Sequence, residues 1–170
     1  MVQAVDRGFE GRWWVVHTRA RQEKALARDL GRQSISFYLP LARVERRWGR
    51  RRTQIQIPLF PGYLFMRGGE DERLATVQTS RVARVLDVCD QQRLREALGH
   101  IRQMVESERP VDLYPGIRKG RRCRVVRGPL RGLEGTVLRR QGAFRVFVAV
   151  EVLGQSAETE IDGASLEVCD

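Results

Sequence analysis

Lysine is nearly missing from this chain of 170 residues: among 31 basic side chains only Lys24 and Lys119 are lysine. With a formal charge of +10, almost all of the positive charge is guanidinium, whose planar fork of donors matches phosphate oxygens and points to a polyanionic partner. A high-GC genome enriches arginine as well, so where the charge lies matters more than how much there is. Histidine is equally scarce, with His17 and His100 alone. No Gly-x-Ser-x-Gly, phosphate loop or recognisable acid pair accompanies them, which leaves no catalytic residue to name and predicts a protein that is not an enzyme. His17 lies in a strand-like run, where a partly exposed structural residue is the better reading than a general base. The glycines between 120 and 135 suggest a phosphate cradle only superficially. No Gly-Lys is followed by Ser or Thr, so they read as turn glycines. The cysteines, Cys89, Cys123 and Cys169, are odd in number and far apart, which excludes a disulfide framework and a clustered metal site, and no cofactor is expected. There is also no apolar run of membrane-spanning length and no basic, apolar signal at the N-terminus, so a cytoplasmic monomer without a membrane partner is predicted.

What is present is unevenly placed. Residues 1–110 carry 21 basic and 13 acidic side chains, against 10 and 8 in residues 111–170. The excess peaks at Arg43, Arg46, Arg47, Arg50, Arg51 and Arg52 around Trp48 and Gly49.

Periodicity then divides the chain. Residues 1–11 read as a flexible leader. Arg12 to Thr18 is aromatic and β-branched and predicts a strand, and Ala25, Leu26 and Leu30 recur at helical spacing over Arg21 to Gln33. Phe37 to Val44 and Thr53 to Ile57 read as the arms of a hairpin with the arginine cluster at its tip. A solvated loop is the bland reading of that tip. Contact with nucleic acid is the better one, because arginines beside a tryptophan combine phosphate contacts with stacking. Residues 58–65, Pro-Leu-Phe-Pro-Gly-Tyr-Leu-Phe, read as one central strand. Leu59, Pro61, Tyr63 and Phe65 then point one way, and Phe60, Gly62, Leu64 and Met66 the other. Glu70 to Gln78 predicts a helix with Leu74 and Val77 on one side, Val82 to Val88 a strand, and Gln91 to Ser107 a helix with a stripe of Leu94, Leu98, Ile101 and Val105. The expected fold class is therefore α+β. An antiparallel sheet with helices packed on it occupies 12–107, a linker 108–115, and a small five-stranded β-barrel 116–170. The barrel strands are expected at Arg122 to Arg127, Glu134 to Arg140, Ala143 to Val150, Glu158 to Ile161 and Leu166 to Val168.

These motifs together resemble a family. Trp13-Trp14-Val15-Val16-His17-Thr18 is similar to the opening strand of the NusG-like N-terminal (NGN) domain, and Leu59-Phe60-Pro61-Gly62-Tyr63-Leu64-Phe65 to its central strand. Lys119-Gly120-Arg121-Arg122-Cys123-Arg124-Val125, with Gly128-Pro129-Leu130-Arg131-Gly132-Leu133-Glu134-Gly135-Thr136-Val137, resembles a KOW motif. The resemblance implies a transcription elongation or antitermination factor that rides on RNA polymerase, bridges the DNA cleft, suppresses pausing and recruits another machine through its KOW barrel. It implies that Phe60, Pro61, Tyr63 and Phe65 grip the polymerase clamp, with Val15 and His17 flanking them. Arg19, Arg32 and Arg81 resemble basic positions beside the non-template DNA strand, to which the hairpin adds Arg46, Arg47, Arg50, Arg51 and Arg52. Leu153 falls where general members place an aromatic that meets a small-subunit ribosomal protein or the termination factor Rho. Arg73 to Thr76 lacks the polar His-Thr-Thr signature of specialised members, although the arginine-rich hairpin leans toward a specialised paralogue. Two other classes stay open: a ribosome-associated or RNA-binding KOW protein, and a regulator of duplex DNA, which needs a recognition helix.

Overall fold

The computed structural model describes residues 11–116 and 118–169, so that the leader expected over 1–11 lies outside the described residues save for Gly11. The first sheet consists of β1 (Trp13–Thr18), β2 (Ser36–Tyr38), β5 (Tyr63–Arg67) and β6 (Val82–Leu86). Their order is β2-β5-β1-β6, with every pairing antiparallel. Alternation sends Trp14, Val16, Leu64 and Met66 to one face, where they pack with Leu26, Ala27 and Leu30 of helix α1 (Glu23–Arg32). Trp13, Val15, Tyr63 and Phe65 take the other face and join Leu94, Leu98 and Ile101 of helix α3 (Gln91–Glu106). Asp90 caps α3 by accepting the Arg93 N–H at 2.9 Å, an arrangement whose loss costs such helices about 0.5 to 2 kcal/mol.

The expected single strand over 58–65 is broken. Strand β4 (Arg51–Pro58) ends, residues 59–62 turn, and β5 starts at Tyr63. Pro61 has no N–H to give a ladder, and Gly62 sits at φ 85, where a glycine is unstrained. The turn carries Phe60 into the core that holds Phe65. The two rings meet edge to face at 6.2 Å instead of lying on opposite faces.

Helix α2 (Glu70–Gln78) also departs from its pattern. Leu74 and Val77 are 47% and 44% exposed, while Thr76 is fully buried. The Thr76 hydroxyl donates to the Glu72 carbonyl at 2.7 Å, so it is satisfied inside its own helix, and the short Ala75 and Thr76 side chains form the seat. Strands β3 (Leu41–Trp48) and β4 form a separate hairpin, with eight residue pairs from Leu41↔Pro58 to Trp48↔Arg51.

In the C-terminal part, β8 (Arg121–Val125), β9 (Glu134–Arg140), β10 (Ala143–Val150), β11 (Gln155–Ile161) and β12 (Leu166–Val168) are joined by a sixth strand, β7 (Val111–Tyr114). That strand comes from the stretch expected to be linker, and the order β12-β8-β9-β10-β11-β7 is an antiparallel sheet of six strands where a closed barrel of five was expected. Half of β7 is inward, with Val111 buried. Arg145 ties it to β10 through Asp112 at 2.8 Å, and the buried Glu158 of β11 receives Arg140 and Arg145 at 3.4 and 3.5 Å. Among the described residues no helix is long and apolar enough to cross a membrane.

The C-terminal sheet docks on α3. Arg93 pairs with Glu151 at 2.5 Å, the Gln103 side-chain amide donates to the Arg131 carbonyl at 2.8 Å, and one continuous core runs from Trp13 through Ile101 to Val146 and Val148. His100 stands in this junction between Glu96 of its own helix and Arg122 and Glu134 of the sheet. Burial pushes its pKa below the usual histidine value, with Arg122 adding to the effect and the two carboxylates opposing it. A histidine whose pKa is depressed on docking favours the docked state above the ordinary value of about 6.5 and loses that contribution as pH falls. Acidification below that value is therefore expected to increase the separated population, measured as a longer inter-domain distance by fluorescence transfer, and His100→Gln is expected to flatten the response.

Candidate functional site

The turn at 59–62 is pinned from both sides. The Gly62 N–H donates to the Glu23 carboxylate at 2.6 Å, and the Gly62 carbonyl accepts from the Thr18 N–H at 2.8 Å. The Leu59 N–H donates to the Pro40 carbonyl at 2.8 Å and the Tyr63 N–H to the Phe60 carbonyl at 3.1 Å. Next to the turn the rings of His17 and Tyr63 stack at 4.9 Å with 20° between their planes. Pro61 is exposed, and His17 and Tyr63 are half-buried. Val15, Phe60 and Phe65 are at most 1% exposed. The six side chains expected on a docking face thus come together, but in two layers. Three present a surface, and three form the apolar bed beneath it.

Glu23 is the residue the sequence reading missed. It is 7% exposed in the first turn of α1, on the stripe that continues through Ala27 and Leu30. An acid on an apolar stripe is the signal that could have found it, because a buried carboxylate needs a hydrogen-bond donor and the structure supplies the Gly62 N–H.

The expected DNA-facing arginines divide by what they touch. Arg81 donates to Asp29 at 2.5 Å and to the Gln22 side-chain carbonyl at 2.6 Å, so it holds the approach to β6 against α1. Arg32 lies 3.8 Å from the same Asp29 with its side chain 80% exposed, and the Arg19 N–H donates to the Arg81 carbonyl at 2.8 Å. Arg32 and Arg81 therefore share Asp29, which offsets part of their charge, and the Arg19 backbone is tied to that of Arg81. On the hairpin, Arg52 leans on Glu45 at 3.4 Å and Arg43 on Glu108 at 3.1 Å. Arg46, Arg47, Arg50 and Arg51 are exposed and have no ion-pair partner among the described residues. Gly49 at φ 61 makes the two-residue tip possible, and beside it Trp48 is 69% exposed. Leu153 is half-buried against the core in the short helical turn Glu151–Leu153, which Gly154 ends at φ 62.

A helix-covered antiparallel sheet with a projecting basic hairpin and a second, six-stranded β unit defines the chain as an α+β protein. Residues 11–98 match the NusG family, described as "Transcription termination factor nusG". That span is more than half of the sequence, and the chain belongs to the NusG family. Its members are transcription factors of the elongation kind that act without enzymatic chemistry and bind RNA polymerase. A solved structure described as "Domain interaction in Thermotoga maritima NusG" is similar to this chain at 14% identity, with a TM-score of 0.49. The similarity covers 95% of this chain and 98% of that one. No curated protein matches the sequence.

Proposed function

We propose that this protein binds RNA polymerase through Pro61, Tyr63 and His17, supported from beneath by Val15, Phe60 and Phe65, and suppresses pausing or termination during elongation. The observation that carries the reading is the pinned turn: within a chain of the NusG family, a proline and a stacked His-Tyr pair are held at the surface before any partner arrives. Such preorganisation leaves little entropy to lose on binding. The basic hairpin and Arg19, Arg32 and Arg81 face DNA in the elongation complex, where guanidinium groups replace condensed counterions on phosphates. The C-terminal sheet couples transcription to another machine, a ribosomal protein or Rho, through the turn that holds Leu153. Because that sheet is docked on α3 and Leu153 is half-buried, the coupling follows separation of the two parts.

Retention assays with the full chain as bait test the reading. Core RNA polymerase is expected to be retained in preference to ribosomes and free duplex DNA, and transcripts on a pause-bearing template are expected to lengthen faster with the protein present. Retention of ribosomes without polymerase, or unchanged pausing with polymerase bound, overturns it.

A further inference from the structure

We infer that the Trp48 face of the hairpin is a binding site for an unpaired DNA strand, with a base stacked on the Trp48 ring and Arg46 and Arg51 on the flanking phosphates. The inference rests on the reading above that the hairpin faces DNA, and it specifies which form of DNA and which face.

Three observations carry it. First, Trp48 does nothing for the fold: its side chain is 69% exposed and has no ring contact or hydrogen bond among the described residues. Second, the register collects the right chemistry on one face. Trp48 lies opposite Arg51 and Arg46 opposite Thr53, and residues two apart on a strand share a face, so Trp48, Arg46, Arg51 and Thr53 form one surface. Neither Arg46 nor Arg51 is held by an acid, so both forks of donors are free for phosphate. Third, the opposite face differs. There Arg52 is engaged by Glu45 and Arg43 by Glu108, which leaves Arg47 as the one guanidinium of that face without a described ion pair.

The aromatic decides between strand forms. In a duplex both faces of each base are covered by its neighbours, so a duplex offers phosphates to the arginines and nothing to the indole. An unpaired strand offers both, and stacking tolerates any base because every base has a π face. The eight residue pairs of the hairpin hold the ring and the guanidinium groups in fixed relation, and Gly49 lets the chain reverse directly beside them.

The other two tryptophans make the test direct. Trp13 and Trp14 are 0% and 8% exposed in the core, so a change in tryptophan emission on adding nucleic acid reports Trp48. The full chain is titrated at low salt with an oligothymidylate of about 12 nucleotides, with a duplex of equal length, and with the matching oligouridylate. The oligothymidylate is expected to quench emission saturably. Trp48→Ala, a surface change expected to leave the far-ultraviolet circular dichroism intact, is expected to bind that strand about tenfold more weakly by fluorescence anisotropy with the same salt slope. The duplex is expected to bind without quenching and to be insensitive to Trp48→Ala. Single-stranded DNA that binds without quenching, a duplex whose binding depends on Trp48, or tighter Trp48-dependent binding of the oligouridylate overturns the inference while leaving the hairpin a nucleic-acid contact. Absence of salt-dependent binding to all three removes the hairpin from DNA altogether, and both readings fall.

Discussion

Phe65→Ala is expected to destabilise the N-terminal unit by about 3 to 5 kcal/mol, and Tyr63→Ala, two residues away on the same strand face, by only about 1 kcal/mol. The difference follows from depth. Phe65 is fully buried, with Phe60 against its edge and α3 across the sheet, so truncation leaves a cavity that the surrounding Trp13, Val15 and Leu98 can only partly fill. Tyr63 is half-buried and one side of its ring lies on His17, so water and a shift of the imidazole accommodate its loss. Polymerase affinity is expected to follow the opposite order once stability is accounted for. Tyr63→Ala weakens it by about 2 kcal/mol or more, roughly thirtyfold, as truncation of a preorganised aromatic hot spot does. Phe65→Ala, measured at a temperature where it remains folded, costs less. Thermal melts and polymerase binding on both variants, with Leu64→Ala as a control from the opposite face, decide the matter. A Tyr63→Ala protein that binds polymerase normally leaves the docking surface unassigned, and one that melts as early as Phe65→Ala returns the tyrosine to the core.

That split between neighbours was not legible in the sequence, and the reason is general to this chain. Alternation identifies which residues share a face, and it placed Tyr63 with Phe65 and Leu64 with Met66 as the structure does. It does not say how deep a face lies, because depth depends on what another segment lays across it, here α3. Phe60 shows a second limit. Alternation over 58–65 puts Phe60 on the face opposite Tyr63 and Phe65, and it fails where Pro61 and Gly62 break the strand, although the proline and glycine themselves mark the place. In α2 the apolar residues lie outside and a threonine inside, since a side chain that satisfies its own hydroxyl within the helix is buried at little cost. In α3 the expected stripe of Leu94, Leu98, Ile101 and Val105 is buried at its first three positions and partly buried at Val105, and Ala97 and Met104 beside it are buried too. A helix apolar around more of its circumference than one sheet needs has a second neighbour, and the C-terminal sheet is that neighbour. Strand β7 was hidden for a related reason: four residues between prolines look like linker until β11 offers an unpaired edge.

Reversing Arg46, Arg47, Arg50 and Arg51 to glutamate is expected to give the largest change in nucleic-acid binding, and the choice of residues comes from the ion pairs. Each guanidinium that meets a phosphate releases counterions, and the logarithmic dependence of affinity on salt falls by about 0.7 per contact on a single strand. If all four make such contacts, the variant loses about three units of slope, and its binding to elongation complexes at low salt drops by orders of magnitude. Arg52 already leans on Glu45 and Arg43 on Glu108, so neutralising either is expected to alter the slope by less than one contact. Arg81 is unsuitable for the comparison. Its guanidinium holds Asp29 and Gln22 together, and a carboxylate in its place meets Asp29 across a short gap, so weaker binding by that variant reports a disturbed fold. Arg32 and Arg19 are exposed and bear the same test separately. Titrations of elongation complexes across a range of salt, on the four-residue variant and on Arg52→Gln and Arg32→Glu alone, apportion the contacts. An unchanged slope in the four-residue variant takes the hairpin off the DNA, and a slope lost with Arg32 instead moves the contact to the Asp29 cluster at the end of α1.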